Sequence, residues 1–594
     1  MEFQQAIYHL EEGRGAIWLR RLLLGIGFLV VACWFDLSKF HGFDNPEAMD
    51  SAQIARQLSQ GHGFTTLFVR PLALAQLRDR AYLKQGGDPG MPAPASYAPH
   101  TLAGFPDTFN PPLYPLVEAA LFKATRVGLD IPPQTVRDFR RFAPELIVLL
   151  FNQACMALTA ALLFGLGRSL FDPRVAWLGA SAYLATALTW QLSASGTAFP
   201  LAGLLAIAAL VALQRALAAE DLEEGGAARV WIWLLLGAAA LALATLTLYG
   251  AAWLFLPYLV VAATAFRARL ALAPAVVAVA ALLLAPWAIR NAALTGNVLG
   301  TSAALVGSPG PSYPGHLLER SFRLNPEALL WKDGFHKAFG GIAYHAREGF
   351  TLLGSGIAAA FFLAGLMHPF RRRATRIVRL FLAGGVVVLA LGASLAAGEP
   401  EASRAGNLVF LLWPPVALFG SAFFFILLDR LEISLPPLRY TVIGLFLVVS
   451  AIPLATQLLR ANGGVFAYPP YFPPILAFNA QWFSPDEALA ADMPWAVAWY
   501  EDRAALWLPV TVKEYLEIND FVQPIHGLLL TPVSRNAAAL TEIQKGEWKE
   551  WATLLLGQSI PAGFPLSAAT PLPPDNEYLL LSDRARWRAE SAAP

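Results

Sequence analysis

The chain has 594 residues, of which 56% are apolar and only 14% charged, and its mean hydropathy is positive. That composition excludes a single soluble core and marks a polytopic membrane protein with a soluble remainder. A net charge of +1 leaves no nucleic-acid footprint, and two cysteines, Cys33 and Cys155, both inside apolar stretches, supply neither a zinc site nor a disulfide framework.

A hydrocarbon core of about 30 Å takes roughly 20 helical residues. Stretches of that kind lie near 17–37, 144–167, 175–190, 196–217, 230–247, 249–266, 270–290, 350–368, 378–397, 406–428 and 438–459, which predicts about 11 transmembrane helices. Arginine favours cytoplasmic loops, and Arg20, Arg21, Arg168, Arg174, Arg215, Arg229, Arg267 and Arg269 mark alternate connections, with Arg371, Arg372, Arg373, Arg376 and Arg379 the strongest cluster. Placing these inside puts residues 38–143, 291–349 and the tail after 460 on the outer face. The first apolar stretch is kept as a signal anchor, since ten more follow it.

The loop after the first span contains Asp44-Asn45-Pro46-Glu47-Ala48-Met49-Asp50 and later Gly61-His62-Gly63. Asn45 suits a helix cap, Pro46 the first helical position and Gly61 the stop, so a helix of about four turns is expected. Glu47 and Asp50, three residues apart, then share one face, continued by Ile54. Acids in a first turn also complement the helix dipole, which is a purely structural reason for them. Residues 71–112, rich in Pro, Gly and Ala, read as a loop, after which Asn110-Pro111-Pro112-Leu113-Tyr114 opens a second short apolar helix.

Pro286-Trp287-Ala288-Ile289-Arg290-Asn291 closes the seventh span and delivers a guanidinium to the outer headgroup level, where its planar fork suits a phosphate. An arginine beside a tryptophan at that depth is also an ordinary interfacial anchor. Arg404 and Arg70 are further candidates of the same kind. In the tail, strand-like runs from Glu487, at Ala504–Leu508, Gly527–Thr531 and Tyr578–Ser582, with a helix containing Trp495 and Trp499, predict a small α/β domain. The expected divisions are 1–300, a membrane module with outer loop 38–143; 301–459, a further loop and four spans; and 460–594, the extracytoplasmic domain.

In their order, Pro46-Glu47, Ala55-Arg56, Gly61, the Asn-Pro-Pro-Leu-Tyr-Pro run and Pro286-Trp287 with Arg290-Asn291 resemble the GT-C superfamily of polytopic glycosyltransferases, which includes protein O-mannosyltransferases and lipid A aminoarabinose transferases. The resemblance covers roughly residues 15–300. It implies a catalytic base at Glu47, with Asp50 as the other candidate because Ala48 follows Glu47 where relatives usually carry a second acid. Gly196-Thr197-Ala198 also stands where many have an acidic outer turn. The resemblance further implies a polyprenyl-phosphate-linked sugar as donor, with a lipid, glycan or protein hydroxyl as acceptor, in a bacterial plasma membrane. Asp44, Asn110, Tyr114 and Asn291 are the expected cavity residues.

The leaving phosphate is already a stable anion, so the reaction needs cationic donors and a base, and no obligatory cofactor. A divalent metal is compatible with the hard oxygens of Asp44, Glu47 and Asp50. Two rivals remain. A flippase or ion-coupled transporter of lipid-linked sugars would place ionisable groups at mid-span, where none occurs. A non-catalytic assembly scaffold would use the outer domain as its working part.

Overall fold

The computed structural model describes residues 14–587 except 89–92, 95, 132–140, 223–225, 308–314, 324–330, 397–407, 434, 461–472, 536–542, 544–545, 547, 557–558 and 573–576. The protein is an α-helical, multi-pass integral membrane protein. Among the described residues seven helices are long and apolar enough to cross a bilayer: Ala143–Leu170, Phe199–Glu220, Gly226–Thr247, Arg269–Thr295, Arg373–Leu395, Leu408–Arg430 and Pro436–Leu459. Arg14–Lys39 is a further helix of 26 residues.

The remaining expected spans are helical but broken. The stretch at 175–190 divides into Pro173–Ala185 and Ala187–Ala194 around an extended Thr186. The break releases carbonyls in an apolar environment, and the sequence supplies their partners: Thr189 Oγ1 donates to the Tyr183 carbonyl at 2.6 Å and Trp190 Nε1 to that of Leu184 at 2.8 Å. At 249–266 a 3-10 turn, Tyr249–Leu254, precedes the α-helix Phe255–Thr264. The stretch at 350–368 likewise begins as the 3-10 segment Phe350–Gly356.

Two helices of the loop between the first two expected spans, Pro46–Gln60 and Leu113–Thr125, stand where the sequence places them. Residues 71–112, expected to be a loop, carry instead the helix Pro71–Lys84. Pro71 opens it, and Ala73, Leu74 and Leu77 are buried in the same core as the sheet of the tail, which outweighs the turn-rich composition further along.

The tail forms a six-stranded sheet in the order Phe68–Val69, Ala505–Trp507, Ala488–Ala491, Ile525–Leu530, Tyr578–Ser582, Ala568–Leu572. The first four strands are parallel and the last two antiparallel. The edge strand Phe68–Val69 comes from that same loop, so the sheet is shared between distant parts of the sequence.

A second junction fixes the tail to the membrane module. The fully buried indole of Trp499 packs among Phe43, Phe122 and Phe142 and donates from Nε1 to Glu145 Oε1 at 3.0 Å. Glu145 also accepts from the Tyr500 hydroxyl at 2.6 Å and the Phe43 amide at 3.2 Å. From the opposite side Arg56 Nη2 donates to the carbonyls of Ala498 and Trp499, at 2.6 and 2.9 Å. Arg56 belongs to the helix Pro46–Gln60, so that helix is held by the tail as well as by the membrane module.

Candidate active site

The local sequence determines how the first juxtamembrane helix presents its acids. The Asn45 side chain accepts from the Glu47 amide at 2.9 Å, Pro46 occupies the first turn, and Gly61, with φ 89°, takes the left-handed conformation that ends the helix. Close approach requires glycine at position 196, where a Cβ would lie 2.4 Å from the Phe43 ring and 2.9 Å from the Ala48 methyl. The turn Gly196-Thr197-Ala198 therefore packs directly under this helix.

Asp50 is 1% exposed and well supplied with donors. Its Oδ1 accepts from Gln53 Nε2 at 3.1 Å, and its Oδ2 from Asn110 Nδ2 at 2.9 Å and Arg70 Nη2 at 2.7 Å. Gln53 is itself fixed, donating to Thr66 Oγ1 at 2.6 Å and accepting from the Leu67 amide at 2.9 Å.

Arg70 sits between the strand Phe68–Val69 and the helix Pro71–Lys84. Its Nε donates to Glu319 Oε2 at 2.7 Å, and its guanidinium lies between the rings of Phe68 and Phe109, with centroids at 4.0 and 3.7 Å. Burial alone would make this group easier to deprotonate, but Asp50, Glu319 and Asp107 outweigh it and raise its pKa. For Glu319, on the short helix Gly315–Arg320, burial raises the pKa and Arg70 opposes the rise.

Glu47 is solvent-accessible yet crowded by surrounding protein, and among the described residues its carboxylate has no hydrogen-bond partner. Desolvation, then the neighbouring Glu319 and Asp50, push its pKa above the ordinary range, while Arg70 pulls the other way. The arrangement gives one carboxylate held and one poised.

Asp107 joins this centre to Arg290. Its Oδ2 accepts from the Asn110 amide at 2.9 Å, and burial followed by the charge of Asp50 raises its pKa to about 6, against the effects of Arg70 and Arg290. Arg290 Nη1 donates to the Asp107 carbonyl at 2.8 Å and to Asn291 Oδ1 at 3.2 Å, and Nη2 to the Phe64 carbonyl at 3.2 Å. The Trp287 ring lies 4.5 Å from the guanidinium and donates through Nε1 to the Tyr249 hydroxyl at 2.7 Å. Tyr249 in turn donates to the Asn110 carbonyl at 3.4 Å.

Of the residues singled out in the sequence, Glu47, Asp50, Arg70 and Asn110 come together, and Arg290 reaches them through Asp107. Asn291 is fully buried behind Arg290. Tyr114 is buried elsewhere, donating to Asn152 Oδ1 at 3.2 Å and the Gly196 carbonyl at 3.0 Å. Asp44 is exposed just before the helix, and Arg404 lies outside the described residues. Asp107, Glu319, Gln53 and Tyr249 were not anticipated. Asp107 had a faint signal, since an acid three residues before Asn110 can accept its amide as a turn does. Glu319 had none, because ion pairing across 249 residues leaves no trace in local spacing. Among the described residues no group of three or more His, Cys, Asp or Glu could hold a metal ion.

No family model matches the chain, and no curated protein matches it. Solved structures do, and they define the fold as that of the GT-C membrane glycosyltransferases. One is ArnT from Cupriavidus metallidurans bound to undecaprenyl phosphate, with a TM-score of 0.58 and 12% identity over 96% of this chain and 98% of that one. The same protein in its apo state gives a TM-score of 0.54. The Archaeoglobus fulgidus oligosaccharyltransferase in complex with Zn and sulfate gives 0.52, at 12% identity over 89% of this chain and 70% of that one.

Proposed function

We propose that the protein is a membrane glycosyltransferase that moves a sugar from a polyprenyl-phosphate-linked donor to an acceptor hydroxyl of a lipid, glycan or protein at the outer face of a bacterial plasma membrane. The observation that carries this reading is the pairing of Glu47, whose accessible carboxylate has no hydrogen-bond partner among the described residues, with Asp50, locked to Arg70 and Asn110. The likeness to ArnT bound to undecaprenyl phosphate supports a lipid-linked donor.

In this reading Glu47 takes the proton of the acceptor hydroxyl as its oxygen attacks the anomeric carbon. The bond from that carbon to the phosphate oxygen breaks, its electron pair leaves with the polyprenyl phosphate, and the configuration inverts. Arg290 meets the departing phosphate, with Arg70 and Arg404 as further cations. Arg290 keeps its Nε, and Arg70 its Nη1, free of hydrogen bonds among the described residues. Base and cations are both protein groups, so no metal is obligatory, and a divalent cation is compatible with the accessible carboxylate of Glu47.

Residues 1–300 form the catalytic module in this account, 301–459 add Glu319 and four more spans, and 460–594 form an extracytoplasmic domain that steadies the helix of Glu47. The test is reconstitution of the purified protein with a synthetic polyprenyl-phosphate sugar and a mixed acceptor extract. Release of free polyprenyl phosphate dependent on acceptor is expected. Translocation of the intact donor without release would favour the transporter instead.

A further inference from the structure

We infer that a second binding site, at the far end of the helix bundle from Asp50 and Arg70, takes the phosphate headgroup of an anionic membrane phospholipid. A cavity of about 480 Å³ opens there, with Glu220, Asp221, Arg267, Arg269 and Arg373 in its wall. It lies where Phe199–Glu220 and Phe255–Thr264 end and where Arg269–Thr295 and Arg373–Leu395 begin. Its depth follows from one helix: Arg269 and Arg290 both belong to Arg269–Thr295, and at 1.5 Å per residue they are about 30 Å apart, one hydrocarbon thickness. If Arg290 stands at one headgroup layer, this cavity stands at the other.

The charges in its wall are not balanced. Both acids are engaged: Glu220 Oε1 accepts from the Arg267 amide at 2.7 Å, and Asp221 Oδ1 pairs with Arg373 Nη1 at 2.6 Å. Arg373 also donates through Nη2 to the Ala265 carbonyl, so its guanidinium is committed to closing the helix ends. Arg267 is different. Its side chain is 85% exposed and its Nε is no nearer than 3.9 Å to Glu220. Arg269 is exposed and has no hydrogen-bond or ion-pair partner among the described residues.

Two exposed guanidinium forks at one mouth, that of Arg267 held only loosely to Glu220 at 3.9 Å, fit a phosphodiester, whose two unesterified oxygens accept parallel hydrogen bonds. The surroundings select a lipid over a free phosphate. Leu270, next to Arg269, is 89% exposed and Val260 is 62% exposed, so apolar surface that acyl chains can cover runs directly from the basic mouth into the hydrocarbon zone. The inference is independent of the catalytic reading, because none of these residues touches the Asp50 and Arg70 network.

The test uses the full-length protein in dioleoylphosphatidylcholine nanodiscs, titrated with dioleoylphosphatidylglycerol and read by native mass spectrometry of retained lipid. Phosphatidylglycerol is expected to be retained over phosphatidylcholine. Each of Arg267→Gln and Arg269→Gln should weaken that preference about fivefold, and the double variant about 25-fold. Arg126→Gln and Arg584→Gln, which remove exposed charge elsewhere, should leave it unchanged. Equal retention in the double variant and the wild type overturns the site. Displacement by glycerol 1-phosphate at the affinity of the intact lipid overturns the lipid assignment. Thermal unfolding in pure phosphatidylcholine, expected to be unchanged in the variants, separates lost binding from lost folding.

Discussion

Arg70 Nη2 stands 2.7 Å from Asp50 Oδ2, and both side chains are almost wholly buried. The same guanidinium bridges to Glu319 Oε2 at 2.7 Å, so one planar cation joins the helix Pro46–Gln60 to the segment that follows Arg290. A lysine is a single point of charge and cannot hold both carboxylates in that geometry. Arg70→Met should cost about 3–5 kcal/mol of stability by leaving buried carboxylates uncompensated, and Arg70→Lys somewhat less. Denaturant unfolding in detergent measures this. Two unchanged midpoints would mean that the bridge contributes nothing.

The junction at Trp499 supports a second expectation. Trp499→Ala removes a fully buried indole and one of the three hydrogen-bond donors to the Glu145 carboxylate, at a cost of about 3–5 kcal/mol. Because the Arg56 clamp on the carbonyls of residues 498 and 499 loosens with it, proteolysis should release the tail from the variant at protease concentrations that leave the wild type whole. Identical digestion patterns would show that the tail is held by other contacts.

Glu501 gives a pH signature. It is buried, both carboxylate oxygens lack hydrogen-bond partners among the described residues, and burial, only partly opposed by Arg503, raises its pKa from 4.5 to about 8. The folded state therefore holds this proton more tightly than the unfolded chain does. Its stabilising effect is complete below about 4.5 and is lost as pH rises through about 8. Glu501→Gln should raise the unfolding free energy relative to wild type at pH 8.5, by an amount on the order of a few kcal/mol, and hardly at all at pH 4.5. A difference independent of pH would show that Glu501 is not neutral when folded.

Much of this architecture was legible in the chain. Asn45, Pro46 and Gly61 delimit the helix of Glu47 because capping is a local interaction, and charge-free apolar runs mark the spans because lipid imposes a length. The break at Thr186 was not legible, since hydropathy is blind to a backbone turn satisfied by Thr189 and Trp190. The helix Pro71–Lys84 was hidden by the turn-rich residues beyond it, and the strand Phe68–Val69 by having only two residues. At the site the acidic pair was visible but the roles of its members were not, because the hydrogen bonds that hold Asp50 come from Arg70, Asn110 and Gln53, and those residues meet only in the fold.

Arg290 should be sensitive to shape as well as charge. Its Nη1 and Nη2 rest on carbonyls and on Asn291, which aims the remaining edge of the fork, and an ammonium cannot reproduce that arrangement. Arg290→Lys should slow transfer about thirty- to a thousandfold, a loss of about 2–4 kcal/mol of transition-state stabilisation. Wild-type turnover in both Arg290→Lys and Arg290→Ala would reduce Arg290 to an interfacial anchor.

The most direct test of the account is single-turnover sugar transfer by Glu47→Gln beside Asp50→Asn, with donor binding and Tm measured on the same samples. The Glu47 carboxylate makes no hydrogen bond among the described residues, so the amide should leave Tm and donor affinity near those of the wild type while transfer falls by at least about a hundredfold. Asp50→Asn, which breaks the pair with Arg70, should lower Tm first and lose less of the transfer that remains per folded molecule. Full transfer by Glu47→Gln, with transfer abolished in a well-folded Asp50→Asn, would contradict the assignment of Glu47 as the base.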